Sequence, residues 1–397
     1  MWLIEVIALG FLGIALLLVS LWVEHWFPAT LPAPSGRLAV GRTMYHWSDN
    51  TQTAPVPPSP AARREVIAWL WYPADARPPT RAVQYFPMAW RKALEDESGV
   101  LMNRFLNRNR SAIRAHSIED PPLSPREHSY PVVIMRPGLS ALSVEYSTLA
   151  EDLASHGYVV VSFDAPYRST VVALPDNRVI ARTLANNADA FSGEARKHLL
   201  SELMLAWCSD MAFVVDRLER LNASDPSGRF AGRLDLERLG VFGHSLGGAT
   251  AAQFCHADSR CKAGIDVDGA PLGSVIREGI HQPFMFLMSD HGRLSSPGNR
   301  PVKANIDAIY DTLPPHGRVR VMIRGANHYS FSDSPVVKSH LVQRMLRTVG
   351  IMRIGGRRQL AIAAYCIRSF FDVYLRGACA SALQIPSPAY PELQPFG

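Results

Sequence analysis

The sequence predicts an α/β fold, a mostly parallel central sheet with helices on both faces, preceded by an N-terminal membrane-spanning helix. Three observations carry this expectation. Continuous apolar runs alternate with amphipathic stretches from Tyr130 onward, an apolar segment fills residues 1–23, and a glycine-flanked serine stands where a strand gives way to a helix. The 397 residues, 47% hydrophobic and 19% charged, suit a globular chain and exclude general disorder. The formal charge of +6 comes without a Lys/Arg block interleaved with aromatics, which argues against nucleic acid as a partner.

The first segment, MWLIEVIALGFLGIALLLVSLWV, has Glu5 as its only charge. Twenty helical residues reach roughly 30 Å, the thickness of a bilayer's hydrocarbon core. Trp22 and Trp26 then fall where interfacial aromatics are favoured. No Lys or Arg precedes the run, and it exceeds a signal peptide's apolar region. An uncleaved anchor over residues 1–26 is therefore expected, with secretion after cleavage near Ser35 as the alternative. Arg37 and Arg42 follow the span and bias the body toward the cytoplasmic side.

Residues 27–62 are rich in Pro, Ser and Thr and read as a linker. Residues 63–380 read as the folded body and 381–397 as a tail. An insertion at 87–126 carries Arg104, Arg108, Arg110 and Arg114, either a lid facing a site or a solvated basic face. A strand is expected at 65–72. From 131 onward, strands at 131–135, 158–163, 239–242, 263–267, 283–288 and 319–323 alternate with helices at 144–155, 194–221, 247–255, 302–313, 335–349 and 358–376. Uninterrupted apolar strands are those buried on both faces, and βαβ alternation makes them parallel. Of five cysteines, Cys255 and Cys261 flank a short loop and could pair in an oxidising compartment, unless all five stay free.

The chemistry centres on Gly243-His244-Ser245-Leu246-Gly247, placed between a predicted strand and a helix that opens Gly247-Gly248-Ala249-Thr250. A serine exposed on so tight a turn needs small neighbours, and the helix start favours developing negative charge. This G-x-S-x-G in this setting is the mark of an α/β-hydrolase fold and makes Ser245 the candidate nucleophile. A serine hydroxyl needs a base. His328, closely following the last predicted strand in Ile323-Arg324-Gly325-Ala326-Asn327-His328, fits the chain order serine, acid, histidine. His244 adjoins the nucleophile and should point away from it. Two carboxylates end strands between Ser245 and His328, Asp268 and Asp290, and the pattern alone leaves both open.

From about Val132 to Gly377 the chain resembles the plasma-type platelet-activating factor acetylhydrolases and their bacterial esterase relatives. The resemblance rests on Pro137-Gly138-Leu139, on Tyr146-Ser147 with Asp152-Leu153-Ala154-Ser155-His156-Gly157, and on the serine motif continued to Thr250. Asp268 with Pro271-Leu272-Gly273, and Ile323-Arg324-Gly325 followed by His328, Phe331 and Asp333, complete it. It implies Asp268 as the acid, with Asp290 the alternative, and an oxyanion hole from the backbone N–H groups of Leu139 and Leu246. Pro137 departs from the family, where a histidine usually stands. The resemblance further implies a serine carboxylester hydrolase for lipid-like esters, such as phospholipids with short or oxidised sn-2 acyl groups. A general carboxylesterase or polyester hydrolase is the alternative within enzymes, and a catalytically silent binding protein the alternative outside them. Ser, His and Asp suffice for this chemistry, so no metal or cofactor is expected. The expected partners are an ester or phospholipid substrate and a membrane, with no obligate protein partner evident.

Overall fold

The computed structural model describes residues 2–53, 63–290 and 300–395. Its sheet runs, side by side, through Ala39–Thr53, Arg63–Ala74, Val159–Asp164, Tyr130–Arg136, Leu234–His244, Ala263–Val267, Phe284–Ser289 and Arg318–Ile323. Arg63–Ala74 pairs antiparallel with both neighbours, and every pairing from Val159–Asp164 to Arg318–Ile323 is parallel. Strands such as Tyr130–Arg136 and Phe284–Ser289 are buried at every position, as their continuous apolar runs require.

Side chains alternate between the two faces, the period-two rule of a pleated strand. Val133, Met135, Phe242 and Ile265 pack under the helices Ser147–Ser155 and Gly356–Arg376. Val132, Ile134, Val241 and Phe284 pack under Gly193–Ala223, Leu246–Ala257 and Arg300–Thr312. Parallel strands all end at one edge of such a sheet, so Arg136, His244, Val267, Ser289 and Ile323, the last residues of these strands, come together there. This is an α/β-hydrolase fold with an apolar N-terminal helix.

That helix, Trp2–His25, holds an 18-residue stretch of mean hydropathy 2.7, and most of its apolar side chains lie exposed. Only its last turn docks on the body. Leu21 and His25 are buried, His25 Nδ1 meets the Asn107 carbonyl at 3.0 Å, and Leu341 N–H donates to Glu24 at 3.0 Å. The longer Gly193–Ala223 is instead a core helix, burying Trp207, Met211 and Val214.

The expected linker is largely strand. Ala39–Thr53 pairs with Arg63–Ala74, and Ala29–Thr30 pairs with Ile113 and Arg114. Its polar run hides the strand: Val40, Tyr45 and Trp47 pack on the core, too few apolar residues to mark the pattern by composition. Residues 54–62 lie outside the described residues. Arg42 is buried, donating to the Gln84 and Tyr85 carbonyls, so it is not the juxtamembrane charge that the orientation argument assumed. The 87–126 stretch holds the helix Met88–Leu101, a π-helical turn Met102–Leu106, a 3-10 turn Arg110–Ala112 and the sheet strand Ile113–Glu119. The expected tail likewise ends in Leu393–Pro395, paired antiparallel with Arg318–Ile323. Cys255 and Cys261 are joined as a disulfide.

Candidate active site

Ser245 occupies the turn between Leu234–His244 and Leu246–Ala257 with φ 58° and ψ −123°, a conformation rare for a residue with a side chain. Its N–H donates to the Val267 carbonyl at 2.9 Å and its carbonyl accepts from Gly248 N–H at 2.9 Å, which holds the turn in place. A Cβ at Gly243 would overlap the Gly247 carbonyl, and one at Gly247 would overlap the Arg136 carbonyl. Both motif glycines are therefore needed for the backbone to pass this closely.

His328 Nε2 lies 3.1 Å from Ser245 Oγ, and His328 Nδ1 lies 2.7 Å from Asp268 Oδ2. A carboxylate only accepts, so Nδ1 carries the proton and Nε2 is free to accept from the serine hydroxyl. Asp268 is held by Ser289, whose N–H and Oγ–H each donate to it at 2.8 Å. Asp290 points elsewhere: its Oδ2 accepts from Gly325 N–H at 2.8 Å, bracing the turn that leads to His328. Of the two candidate acids, the structure brings Asp268 to the imidazole.

The loop carrying His328 is clamped from behind. Asn327 N–H donates to Gln359 Oε1 at 3.0 Å, and Gln359 Nε2 donates to the Asn327 carbonyl at 2.7 Å. His244 points away from the nucleophile, as expected, and its Nε2 reaches the His328 carbonyl at 2.9 Å. Burial, reinforced by the neighbouring His328, pushes the His244 pKa down to about 3, so the ring is neutral. Its Nε2 must then donate to the carbonyl, and Nδ1 accepts from Tyr146 Oη–H at 2.7 Å. Tyr146 Oη in turn accepts from Gly138 N–H at 3.2 Å.

Gly138 precedes Leu139, whose N–H, like that of Leu246, has no hydrogen-bond partner among the described residues. Both residues wall a cavity of about 540 Å³ that opens on Ser245, with Asp189, Arg196, Leu200 and Met288 among its other walls. A second cavity of about 260 Å³ adjoins the serine on the side of Gly138, Tyr146 and Ser332. Among the described residues none of 87–126 lines either cavity, so of the two readings of that stretch the lid does not meet this serine, while Arg108 and Arg110 are buried rather than part of a solvated basic face. Among the described residues, no three His, Cys, Asp or Glu side chains cluster as metal ligands.

Sequence reasoning missed Tyr146, Gln359 and Ser289 as supports, because each acts across a long sequence separation. It also missed Asp189, Arg196 and Leu200 as cavity walls, since nothing local marks the start of a long helix as facing a site.

Fold and turn together define this class: an α/β-hydrolase with its serine on the strand-to-helix elbow. The profile of the family described as platelet-activating factor acetylhydrolase, isoform II, matches residues 30–178 and 218–369, and the chain belongs to that family. A platelet-activating factor acetylhydrolase of Cavia porcellus is 25% identical over 235 residues, covering 56% of this chain and 52% of its own. A probable 1-alkyl-2-acetylglycerophosphocholine esterase of Arthroderma benhamiae is 24% identical over 280 residues, 67% of this chain and 66% of its own. Cutinase est2 of Thermobifida alba is 26% identical over 208 residues, 52% and 55% of the two chains. The chain thus spans about half to two thirds of the length of these curated relatives. A solved ferulic acid esterase from Streptomyces cinnamoneus superposes with a TM-score of 0.75 at 26% identity, covering 93% of this chain and 99% of that one.

Proposed function

We propose that this protein is a serine carboxylester hydrolase for lipid-like esters, with Ser245 as nucleophile, His328 as general base and Asp268 as the acid that orients it. The observation that carries this is the continuous Asp268–His328–Ser245 chain of 2.7 and 3.1 Å contacts at the mouth of a cavity. In the first step Ser245 Oγ attacks the ester carbonyl carbon while its proton passes to His328 Nε2. The carbonyl oxygen becomes an oxyanion, met by the N–H groups of Leu246 and Leu139. The tetrahedral centre collapses, the C–O bond to the alcohol breaks, and His328 returns the proton to the leaving oxygen. Water, deprotonated by the same imidazole, then releases the acid from the acyl-serine.

The family membership supports phospholipids with short or oxidised sn-2 acyl groups as substrates. A general ester substrate is the second reading, and one observation favours it. The family profile skips 179–217, the stretch that supplies Asp189, Arg196 and Leu200 to the cavity wall. A cavity shaped by residues outside the family pattern need not keep the family's acyl preference. The N-terminal helix supports an uncleaved membrane anchor. The Cys255–Cys261 disulfide supports a body on an oxidising side, the kind of compartment where disulfides persist.

The test is an ester panel of graded acyl length, including an sn-2 acetyl phospholipid, run on the wild type and on Ser245→Ala. Loss of hydrolysis and of fluorophosphonate labelling in the variant, on the order of 10⁴-fold or more, is expected. A variant that still reacts with the probe overturns the nucleophile. A preference for feruloyl or polymeric esters over the phospholipid moves the substrate to the second reading.

A further inference from the structure

A third cavity, of about 320 Å³, opens where the N-terminal helix joins the body, away from the catalytic serine. Pro28, Thr30, Arg108, His340, Arg347 and Arg357 line it, and none of these residues lines either cavity at Ser245. Arg108 is 3% exposed, and among the described residues its guanidinium makes one hydrogen bond, from Nη1 to the Phe27 carbonyl at 3.2 Å. Arg357 donates to the Thr30 carbonyl. Two guanidiniums are thus pinned to the chain just as it leaves the apolar helix, while Arg347 reaches in from the helix His340–Thr348.

No carboxylate among the described residues lies within ion-pair distance of Arg108, Arg347 or Arg357. The nearby Glu24 accepts from Leu341 N–H. Burial lowers the Arg108 pKa, Glu24 opposes that, and the charge of Arg357 lowers it further. An anion between the guanidiniums would relieve their repulsion. The helix Gly356–Arg376 also begins at the cavity wall, adding the positive end of its dipole. Arginine forks match phosphate oxygens in pairs, which sets the chemistry of the ligand.

Position sets its source. The cavity begins two residues past Trp26, at headgroup depth for a helix that spans a bilayer. On the helix His340–Thr348 and just after it, Met345, Val349 and Ile351 are 51%, 66% and 55% exposed, and that helix meets the N-terminal helix where Leu341 N–H donates to Glu24. We propose that this cavity binds the phosphate of an anionic phospholipid headgroup belonging to the bilayer that the N-terminal helix spans. The proposal rests on the reading of that helix as an uncleaved anchor.

The test uses the full chain, extracted in mild detergent, with thermal unfolding followed against dioctanoyl phosphatidylglycerol, dioctanoyl phosphatidylcholine and inorganic phosphate. Phosphatidylglycerol is expected to raise the Tm at concentrations where the other two do not. Arg347→Gln combined with Arg357→Gln, both exposed positions, should weaken that response at least about ten-fold while ester hydrolysis is unchanged. An absent response, one that survives the double substitution, or an equal one from inorganic phosphate overturns the lipid site. The intact mass of the extracted chain reports on the anchor separately. A mass lacking the N-terminal helix overturns the anchor reading, and with it the lipid as occupant, whatever the titration shows.

Discussion

His244 Nε2 donates to the His328 backbone carbonyl across 2.9 Å, so the residue before the serine holds the loop that carries the histidine. Through Nδ1 the same ring accepts from Tyr146, which accepts from Gly138 N–H at the start of the Leu139 turn. One neutral imidazole therefore ties three parts of the site together. Tyr146→Phe removes the central hydroxyl and leaves a buried nitrogen and an N–H unpaired, at a cost of about 1–3 kcal/mol. If the network positions Leu139 for the oxyanion, kcat should fall about ten-fold or more while KM changes little. A lowered Tm with unchanged kcat would assign the network to folding alone.

The two carboxylates give a sharper contrast. Asp268→Asn keeps the shape but removes the charge that holds the imidazole's tautomer, a loss of up to about 10⁴ in kcat. Asp290→Asn keeps an oxygen for Gly325 N–H and should cost about 1 kcal/mol of stability or less, with little loss of rate. Steady-state kinetics on both variants separate these outcomes by orders of magnitude. A dead Asp290→Asn with an active Asp268→Asn would reverse the assignment.

What could be read in the sequence was local. The serine turn is legible because its glycines, its strand and its helix lie within about fifteen residues, and the buried strands because both their faces are apolar. The choice between Asp268 and Asp290 is not local: it depends on Ser289, 21 residues beyond Asp268, closing on the carboxylate. Tyr146 meets His244 across 98 residues, a partnership that no spacing reveals. The strand Ala39–Thr53 escaped for a different reason. Its MYHWSDN run puts Tyr45 and Trp47 on the core side and then turns polar, too short an alternation to read, while the strand is held by pairing along Arg63–Ala74.

Asp266 should make the fold less stable as pH rises from about 4 to about 8. It is fully enclosed beneath the serine turn, where burial, opposed by Gly269 N–H and aided by the charge of Asp268, pushes its pKa up to about 8. An unfolded aspartate titrates near 3.9. Between about pH 4 and 8 the folded chain keeps a proton that the unfolded chain has lost, so stability is full below that window and falls as pH rises through it. Asp333, also raised to about 8 by burial, acts with the same sign. Asp266→Asn retains an acceptor for Gly269 N–H and cannot ionise. Its Tm should therefore drop less than the wild type's between about pH 5 and pH 8. An equal drop would show that Asp266 is ionised in the fold.

The last prediction concerns where the N-terminal apolar helix gives way to the body. The chain after Trp26 is fastened to the body rather than trailing from it. Leu31 is buried and its N–H donates to the Arg114 carbonyl at 2.9 Å. Ser35 donates from N–H and Oγ–H to Asp152 at 2.8 and 2.7 Å, and Gly36 N–H donates to Ser155 Oγ at 2.9 Å. The family match also begins at residue 30, well before the linker expected from composition would have ended. Removing residues 1–26 should thus give a soluble chain with kcat/KM close to that of the full protein. Removing residues 1–36 strips out Leu31, worth about 2 kcal/mol of burial, and several hydrogen bonds worth about 1 kcal/mol each. That shorter chain should unfold several degrees lower. Equal Tm values for the two truncations would show that residues 27–36 are a tether after all, and that their contacts with Arg114, Asp152 and Ser155 contribute nothing to the fold.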